Sequence, residues 1–462
     1  MADTGTHTLT VVGLGPGDPS LLTQQARDIL AAADEVWLRT ARHPTVAGLP
    51  PGPRYQSFDE IYESGASFED VYRQIVARAL ELASRPGGLV YAVPGHPLFG
   101  EATVRALLDR APAEGISTAV VPGISFLDSA AVALAFDPLA DGVLLLDALA
   151  FAPHRRLLVP ERPTIVAQVY DRRAASQTKL ALLESYPPQH AVRVLRASGT
   201  ADAQIADTTV EELDRTDGFD HLTLLYVPPL PPLEDVRSFE GVRAVVARLR
   251  APEGGCPWDL EQTHETLRRY LLEEAYEAVD ALDAGEPKRL AEELGDLLMQ
   301  IVLHAQVAED NGEFVVEDVF ASIATKLIRR HPHVFGDLQV AGSDEVLRNW
   351  ETLKQNERGD EPLLDHVPKA MPALLQAQSV QSRAAKAGLA PPPPDPSAVI
   401  AALDALSDDG VTSSPERLGE LLMGIVALAR DRGFDAEEAL RHAIGRYRAQ
   451  VADAESARRT AG

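Results

Sequence analysis

The sequence predicts a multidomain protein, an α/β region at the N-terminus followed by an all-α region that carries a degenerate second copy of part of itself. Three observations lead there. Before residue 229, short β-type runs (Leu9–Val12, Leu89–Val93, Thr118–Val121, Thr164–Val169, Val192–Leu195, Leu222–Val227) alternate with helical patterns, which implies a largely parallel sheet. After Pro228-Pro229-Leu230-Pro231-Pro232, apolar residues recur instead at three- and four-residue spacing in Leu267–Leu282, Pro287–Ala308, Val315–Arg330 and Val346–Glu357, the helical period. Finally, Leu294-Gly295-Asp296-Leu297-Leu298-Met299 returns as Leu418-Gly419-Glu420-Leu421-Leu422-Met423. At the same offset of 124, Ala278, Asp280, Ala281 and Leu282 match Ala402, Asp404, Ala405 and Leu406. One register shared by two helices indicates a duplicated helical hairpin.

Taken in order, the first strand runs into Gly13-Leu14-Gly15-Pro16-Gly17-Asp18-Pro19, a strand-to-helix turn ahead of a helical pattern over Leu21–Ala33. A second helical pattern covers Phe68–Ala83. Pro94-Gly95-His96-Pro97-Leu98 and Pro122-Gly123-Ile124-Ser125 each follow a strand. Three Gly/Pro loops at the carboxyl ends of strands are where an open α/β sheet binds its ligand. The proline clusters at 228–232 and 391–394 continue neither helix nor central strand and read as semi-rigid connectors. Domains are therefore expected at 1–229, 230–390 and 391–462.

The 462 residues carry 43 Lys+Arg against 69 Asp+Glu, a formal net charge of −26, with aromatics at 5%. That balance argues against a phosphate-backbone surface or base-stacking platform, so no polymeric nucleic acid is expected as a partner. One cysteine, Cys256, excludes an internal disulfide and a zinc knuckle. The N-terminal segment lacks signal-peptide character, and the apolar run Val143–Leu146 is too short to cross a bilayer. The expectation is a cytoplasmic protein with no membrane contact.

The strongest chemical signal is Glu273-Glu274-Ala275-Tyr276-Glu277 followed by Glu293-Leu294-Gly295-Asp296. Glu274/Glu277 and Glu293/Asp296 are each three residues apart and so share a helix face. The short turn Asp283–Pro287 makes the helices antiparallel neighbours, and the four acids border a seam of leucines expected to be buried. Grouped carboxylates repel one another unless protonation or a cation relieves them, and hard oxygen donors suit Mg²⁺. An isolated EExxE is more often a solvated acidic face; two facing pairs with basic residues downstream shift the balance toward a metal site. Downstream, Lys326, Arg329, Arg330 and Lys354 are candidate cations for a phosphate held by such a metal.

In order and spacing, Gly255-Cys256-Pro257-Trp258-Asp259, the two acidic segments, Arg329-Arg330-His331-Pro332-His333-Val334-Phe335 and Asn349-Trp350-Glu351 resemble the MazG family over about residues 240–390. The resemblance implies an all-α nucleoside triphosphate pyrophosphohydrolase that releases a nucleoside monophosphate and pyrophosphate. It makes Glu274, Glu277, Glu293 and Asp296 the Mg²⁺ ligands and catalytic acids, with Glu273 supporting them. It also implies a homodimer, with the alternative that the duplicated copy supplies that partner within one chain. In the second copy the four ligand positions become Ala398, Ala401, Arg417 and Glu420, so that copy cannot build the same site.

The three Gly/Pro loops resemble the tetrapyrrole methylase family over about residues 8–228, which binds S-adenosylmethionine between two α/β lobes. By that resemblance Gly13, Gly15, Gly17, Gly95, His96, Pro97, Leu98 and Ser125 line the cofactor, and the methyl acceptor is a tetrapyrrole or another molecule. His96 stands where many porphyrin-modifying members have Asp. Together the halves resemble the YabN-type fusion of the two domains. Two alternatives remain open at this stage: a methyltransferase with an accessory helical half, and a non-catalytic regulator that binds S-adenosylmethionine.

Overall fold

Thr-Leu-Thr-Val-Val-Gly forms β1 (Thr8–Gly13), whose central residues are buried on both faces, as expected of an inner strand in a parallel sheet. The computed structural model describes residues 7–64, 67–151, 158–346, 349–350, 353, 362–407 and 415–461. The chain divides into two compact units, Met1–Val319 and Phe320–Gly462.

Strands β2 (Glu35–Leu38), β3 (Arg54–Ser57), β4 (Leu89–Val93) and β5 (Ser117–Val121) join β1 in an all-parallel sheet of order β3-β2-β4-β1-β5. Helix α1 (Gln24–Ala32) covers one face through Ala26 and Leu30 against Val12, Val36 and Leu38. Helices α2 (Asp59–Ser64), α3 (Phe68–Ala83) and α4 (Ala102–Arg110) follow, and α3 and α4 cover the other face, packing Ile75, Leu80 and Leu107 on Leu9, Val11 and Tyr91. Thr23 and Ser67 cap α1 and α3 by accepting backbone N–H bonds, which satisfies donors the first turn leaves free. The helical pattern from Leu21 begins as a helix only at Gln24, because Pro19–Leu21 forms a separate 3-10 turn capped by Asp18.

The second sheet departs from the expected parallel pattern. Strands β6 (Leu144–Asp147), β7 (Thr164–Ala167), β8 (Ala191–Arg196), β9 (Gln204–Thr209) and β10 (Thr223–Val227) take the order β6-β7-β10-β8-β9. Only β6 and β7 are parallel; β10 runs antiparallel to both β7 and β8, and β8 antiparallel to β9. The short β8–β9 connection has no room for a crossover helix, so antiparallel pairing is forced. Helices α5 (Phe126–Leu134), α6 (Ala148–Phe151) and α7 (Arg172–Leu182) complete this half, with α5 and α7 on opposite faces. Two α/β lobes result, in agreement with the methylase resemblance.

The rest of the first unit is helical: α8 (Phe239–Leu249), the turn α9 (Pro257–Leu260), α10 (His264–Ala284) and α11 (Pro287–Asn311). Gly285 ends α10 in the left-handed region at φ 67°, and the chain reverses into α11. Val246, Leu267, Val302, Leu303 and Val307 form the shared core. Arg250 anchors the Gly255–Asp259 segment, reaching Asp310 at 2.7 Å and the carbonyls of Asp259 and Gln262. Helix α12 (Val316–Arg330) runs from one unit into the next.

The second unit contains helices Ala373–Lys386, Pro396–Ser407, Pro415–Asp431 and Ala436–Ala461, and side-chain bonds tie the first of these to the last two. Gln378 donates to the Phe434 carbonyl and accepts from Ala436 N–H, and Gln381 donates to the Met423 carbonyl. Pro396–Ser407 and Pro415–Asp431 carry the residues that match α10 and α11 at the offset of 124. Most of the expected helix Val346–Glu357 falls outside the described residues. Among the described residues, no helix is long and apolar enough to cross a membrane.

Candidate functional site

Helix geometry brings the acids together. Glu274 and Glu277 lie on one face of α10, Glu293 and Asp296 on one face of α11, and the hairpin turns these faces toward each other. Carboxylate oxygens of Glu274, Glu277 and Glu293 all come within 4.8 Å of one another. Asp296 stands outside this trio, yet its charge acts on Glu274. Glu273 is exposed and adds its charge to both Glu274 and Glu277.

Crowding acts on the carboxyls of the group. The Glu274 carboxyl is pushed up by partial burial and then by Asp296, Glu277, Glu273 and Glu293. Glu277 is pushed up first by Glu293. Both shifts follow from like charges held close with too few counter-charges. One counter-charge escaped the sequence reading: Arg289, a turn before Glu293, donates its Nε to that carboxylate at 3.2 Å. Its i,i+4 spacing was the available signal.

The apolar stripe beside the acids is not the buried seam expected. Leu294 is 49% exposed, Leu298 38% and Ile301 40%, and Leu282 is also open. The corresponding Leu418, Leu422 and Ile425 of the second hairpin are exposed as well. Near the acids α10 buries its small residues, Ala278 and Ala281, while the large buried residues of the pair, Leu267, Val302, Leu303 and Val307, lie toward the other end of the hairpin.

Lys326, Arg329 and Arg330 occupy the end of α12, in the second unit, with Lys326 and Arg329 exposed and Arg330 half-buried. Lys354 lies outside the described residues. Trp350 is 38% exposed with its ring 6.4 Å from that of His331.

In the α/β part, the loops after β1, β4 and β5 meet backbone to backbone. A Cβ on Gly13 would stand 2.6 Å from Gly123 N and 2.7 Å from Gly95 O, so only glycine allows the three strand ends to touch. Gly15 and Gly95 exchange N–H···O bonds of 3.2 and 2.8 Å. Gly17, buried, is closed in by Thr200, and Asp18 N–H donates to Gly199 O, which ties this loop to the second lobe. Above Gly95, at φ 62°, the space is open.

His96 accepts from Leu98 N–H at 3.1 Å and sets its ring edge-on to Phe99. Pro97 is buried and Leu98 is exposed. The Ser125 hydroxyl is engaged in a capping box with Asp128 at the start of α5, so its evident work is to seat that helix.

Residues 8–214 match the Tetrapyrrole (Corrin/Porphyrin) Methylases family, and residues 262–335 match the MazG nucleotide pyrophosphohydrolase domain. The chain is 40% identical over 377 residues to YabN of Bacillus subtilis (strain 168), a match covering 81% of this chain and 76% of that one. The chain belongs to the YabN-type family, a tetrapyrrole methylase domain joined to a MazG domain.

Other relatives match part of this YabN-type chain. The nucleoside triphosphate pyrophosphohydrolase of Escherichia coli (strain K12) is 40% identical over 233 residues, covering 48% of this chain and 88% of its own length. The nucleoside triphosphate pyrophosphohydrolase/pyrophosphatase MazG of Thermotoga maritima is 38% identical over 216 residues, covering 45% and 82%.

Proposed function

We propose that the helical half is a Mg²⁺-dependent nucleoside triphosphate pyrophosphohydrolase, converting NTP and water to NMP and pyrophosphate. The observation that carries this reading is the three-way approach of Glu274, Glu277 and Glu293 within 4.8 Å. The donor set fits the ion: every group is a hard carboxylate oxygen, and the mutual repulsion that lifts Glu274 and Glu277 is what a divalent cation relieves. Glu274, Glu277 and Glu293 would hold it, with Asp296 beside them. When bound, such an ion polarises phosphoryl oxygens and lowers the pKa of a coordinated water. Arg289 holds Glu293 in place, and Lys326, Arg329, Arg330 and Lys354 are the phosphate partners.

We assign the hydrolase to residues 230–390 and a structural role to 391–462, whose Arg417 replaces an acid. Residues 1–229 bind S-adenosylmethionine in this reading, supported by the contact of Gly13, Gly95 and Gly123 and by the open space above Gly95. Two copies of the chain pair through the exposed leucines of α10 and α11, and the protein works in the cytoplasm.

The test is pyrophosphate release from a panel of nucleoside triphosphates, with and without Mg²⁺, comparing the wild type with Glu293→Ala. Release that requires the metal and disappears in the variant is expected. Equal release by both proteins would remove the carboxylate assignment. If neither releases pyrophosphate while labelled methyl groups reach an acceptor, the protein is a methyltransferase with an accessory helical half.

A further inference from the structure

Away from the acids, at the end of the hairpin where α10 begins, two histidines meet. His264 is the first residue of α10 and His304 lies on α11. Their Nδ1 atoms stand 2.8 Å apart, with ring centroids 5.1 Å apart and an interplanar angle of 9°. The centroids are farther apart than the nitrogens by about the radii of two imidazole rings, so the rings meet edge to edge in nearly one plane. That is the geometry of an N–H···N hydrogen bond and not of a face-to-face stack. On its far side His264 Nε2 lies 3.3 Å from a Glu313 carboxylate oxygen, and the Phe314 ring lies 6.4 Å away at 12°. The contact ties together the start of α10, the body of α11 and the loop 312–315 from which α12 departs.

Counting protons fixes the tautomers. A neutral imidazole has one N–H and one bare nitrogen, and a carboxylate only accepts. Glu313 therefore takes the Nε2 proton of His264, which leaves His264 Nδ1 bare. His304 Nδ1–H must then donate the bond between the rings, and the bare nitrogen of His304 is Nε2. That atom is sealed from solvent and, among the described residues, has no hydrogen-bond partner. A further proton on the pair has only this nitrogen to occupy, where it becomes a buried N–H with nothing to accept it. Placing the charge on His264 changes nothing: His304 Nδ1 must then accept, and its own proton moves to Nε2. Burial, and then His264, hold the His304 imidazole below the ordinary 6.5, in keeping with this. Other charged groups nearby are engaged elsewhere or exposed. Glu265 accepts from the Thr263 hydroxyl at 2.9 Å, Asp310 from Arg250 at 2.7 Å and Glu317 from Arg243 at 2.6 Å. Arg268 and Glu309 are exposed, so Glu313 is the charged group that faces the pair.

We propose that His264 and His304 form a proton latch: closed, the pair holds two N–H protons and excludes a third, and acid opens it because only the open pair exposes His304 Nε2 to be protonated. Opening releases the first turn of α10 and the Glu313–Phe314 segment. The latch is thus an acid-sensitive hold on the loop that leads into α12, whose last turn carries Arg329 and Arg330. Ten residues of helix, roughly 15 Å, separate His264 from Glu274, so the acidic end of the hairpin stays packed when the latch opens.

Hydrogen exchange of the full chain, read by mass spectrometry over residues 263–268 and 312–318 and corrected for the intrinsic effect of pH, tests the latch. Protection of both segments is expected to fall by roughly tenfold between pH 7.5 and pH 5.5, the factor set by an opened imidazole that titrates near its ordinary value. Helix α3 should keep its protection over the same range. His304→Asn retains an amide N–H near the Nδ1 position and cannot gain a proton, so it should stay protected at both pH values. His264→Phe removes the acceptor and should lose protection at both. If that variant does not fold, the ¹⁵N-histidine spectrum of the wild type decides: at pH 7.5 His304 Nδ1 should be protonated and Nε2 bare, with both signals missing from His304→Asn. The latch is overturned by equal protection of the wild type at the two pH values, by an acid loss in His304→Asn as large as in the wild type, or by the opposite tautomer at His304.

Discussion

Glu277 on α10 and Glu293 on α11 bring carboxylate oxygens within 4.8 Å of each other across the hairpin, and Glu293 is the largest cause of the upward shift at Glu277. Two like charges held this close store repulsion in the folded chain, and folding tolerates it because α10 and α11 pack through their alanines and the core around Leu267 and Val302. The arrangement is therefore poised for a cation, and its cost and its use have the same origin.

Mg²⁺ is accordingly expected to raise the melting temperature at pH 7.5, and Glu277→Gln to raise the metal-free melting temperature while removing that gain. The sign follows from linkage. A carboxyl whose folded pKa is raised above 4.5 binds more protons folded than unfolded, so it lowers stability as pH climbs through that window and above it. Protons also compete with the metal from higher pH than at an ordinary glutamate. Apparent Mg²⁺ affinity, followed by the melting shift, should therefore fall on acidification before ordinary carboxylates titrate. A melting temperature indifferent to Mg²⁺ in wild type and variant alike contradicts the expectation.

How much of this was legible in the residues depends on period and polarity. Helices with long apolar stripes, such as Phe68–Ala83 and α11, were readable because the 3.6-residue pattern is sustained. The acids were readable because three-residue spacing fixes a face. Strands β2, β3 and β9 were not: Glu35–Leu38 and Arg54–Ser57 are four residues long, and Gln-Ile-Ala-Asp-Thr-Thr is too polar to read as a strand. Neither was the antiparallel second sheet, since strand direction is set by connection geometry, which the apolar runs do not encode. The exposed stripe of Leu294 and Leu298 misled for another reason, because periodicity reports an apolar face and not what covers it. His43 gave no signal at all, being a lone histidine in a loop.

The Arg39–Glu101 pair is a second place where removal of one partner is informative. Glu101 is nearly fully buried, accepts from the Thr103 hydroxyl at 2.9 Å, and Thr103 bonds the phenol of buried Tyr91. Arg39 also donates to Tyr62 at 2.9 Å. Glu101→Ala leaves a guanidinium without its charge partner, and a loss of about 3–5 kcal/mol in unfolding free energy is expected. Arg39→Met combined with Glu101→Met should cost clearly less, because neither charge is then stranded. Urea unfolding of both variants measures this; equal losses would mean the pair is not coupled.

His43 gives a pH dependence of opposite sign. Its folded value of about 4 lies below the ordinary 6.5, so the folded chain binds fewer protons there than the unfolded one. Stability is therefore full above pH 6.5 and falls as pH drops toward 4, by an amount on the order of 3 kcal/mol for a shift of this size. His43→Asn cannot be protonated and should lose less stability than wild type between pH 7 and pH 4.5. Urea midpoints at the two pH values make the comparison, and identical losses would place His43 in water.

The exposed apolar stripe of α11 yields the last expectation. Leu294, Leu298 and Ile301 lie three to four residues apart on one face and are each at least 38% exposed, alongside open Leu282 and Tyr276 on α10. Covering a Leu or Ile side chain is worth about 1.5–3 kcal/mol, so this three-residue stripe favours association with a second copy. Light scattering coupled to gel filtration should give twice the 49.8 kDa chain mass for wild type and the single mass for Leu294→Glu with Leu298→Glu. The acids beside that stripe make the two readouts connected. If pairing also excludes water from Glu293, whose side chain is already 14% exposed, the monomeric variant should lose Mg²⁺-induced stabilisation together with its partner. A monomeric wild type with the full metal response would separate the two and leave the stripe without a role in the site.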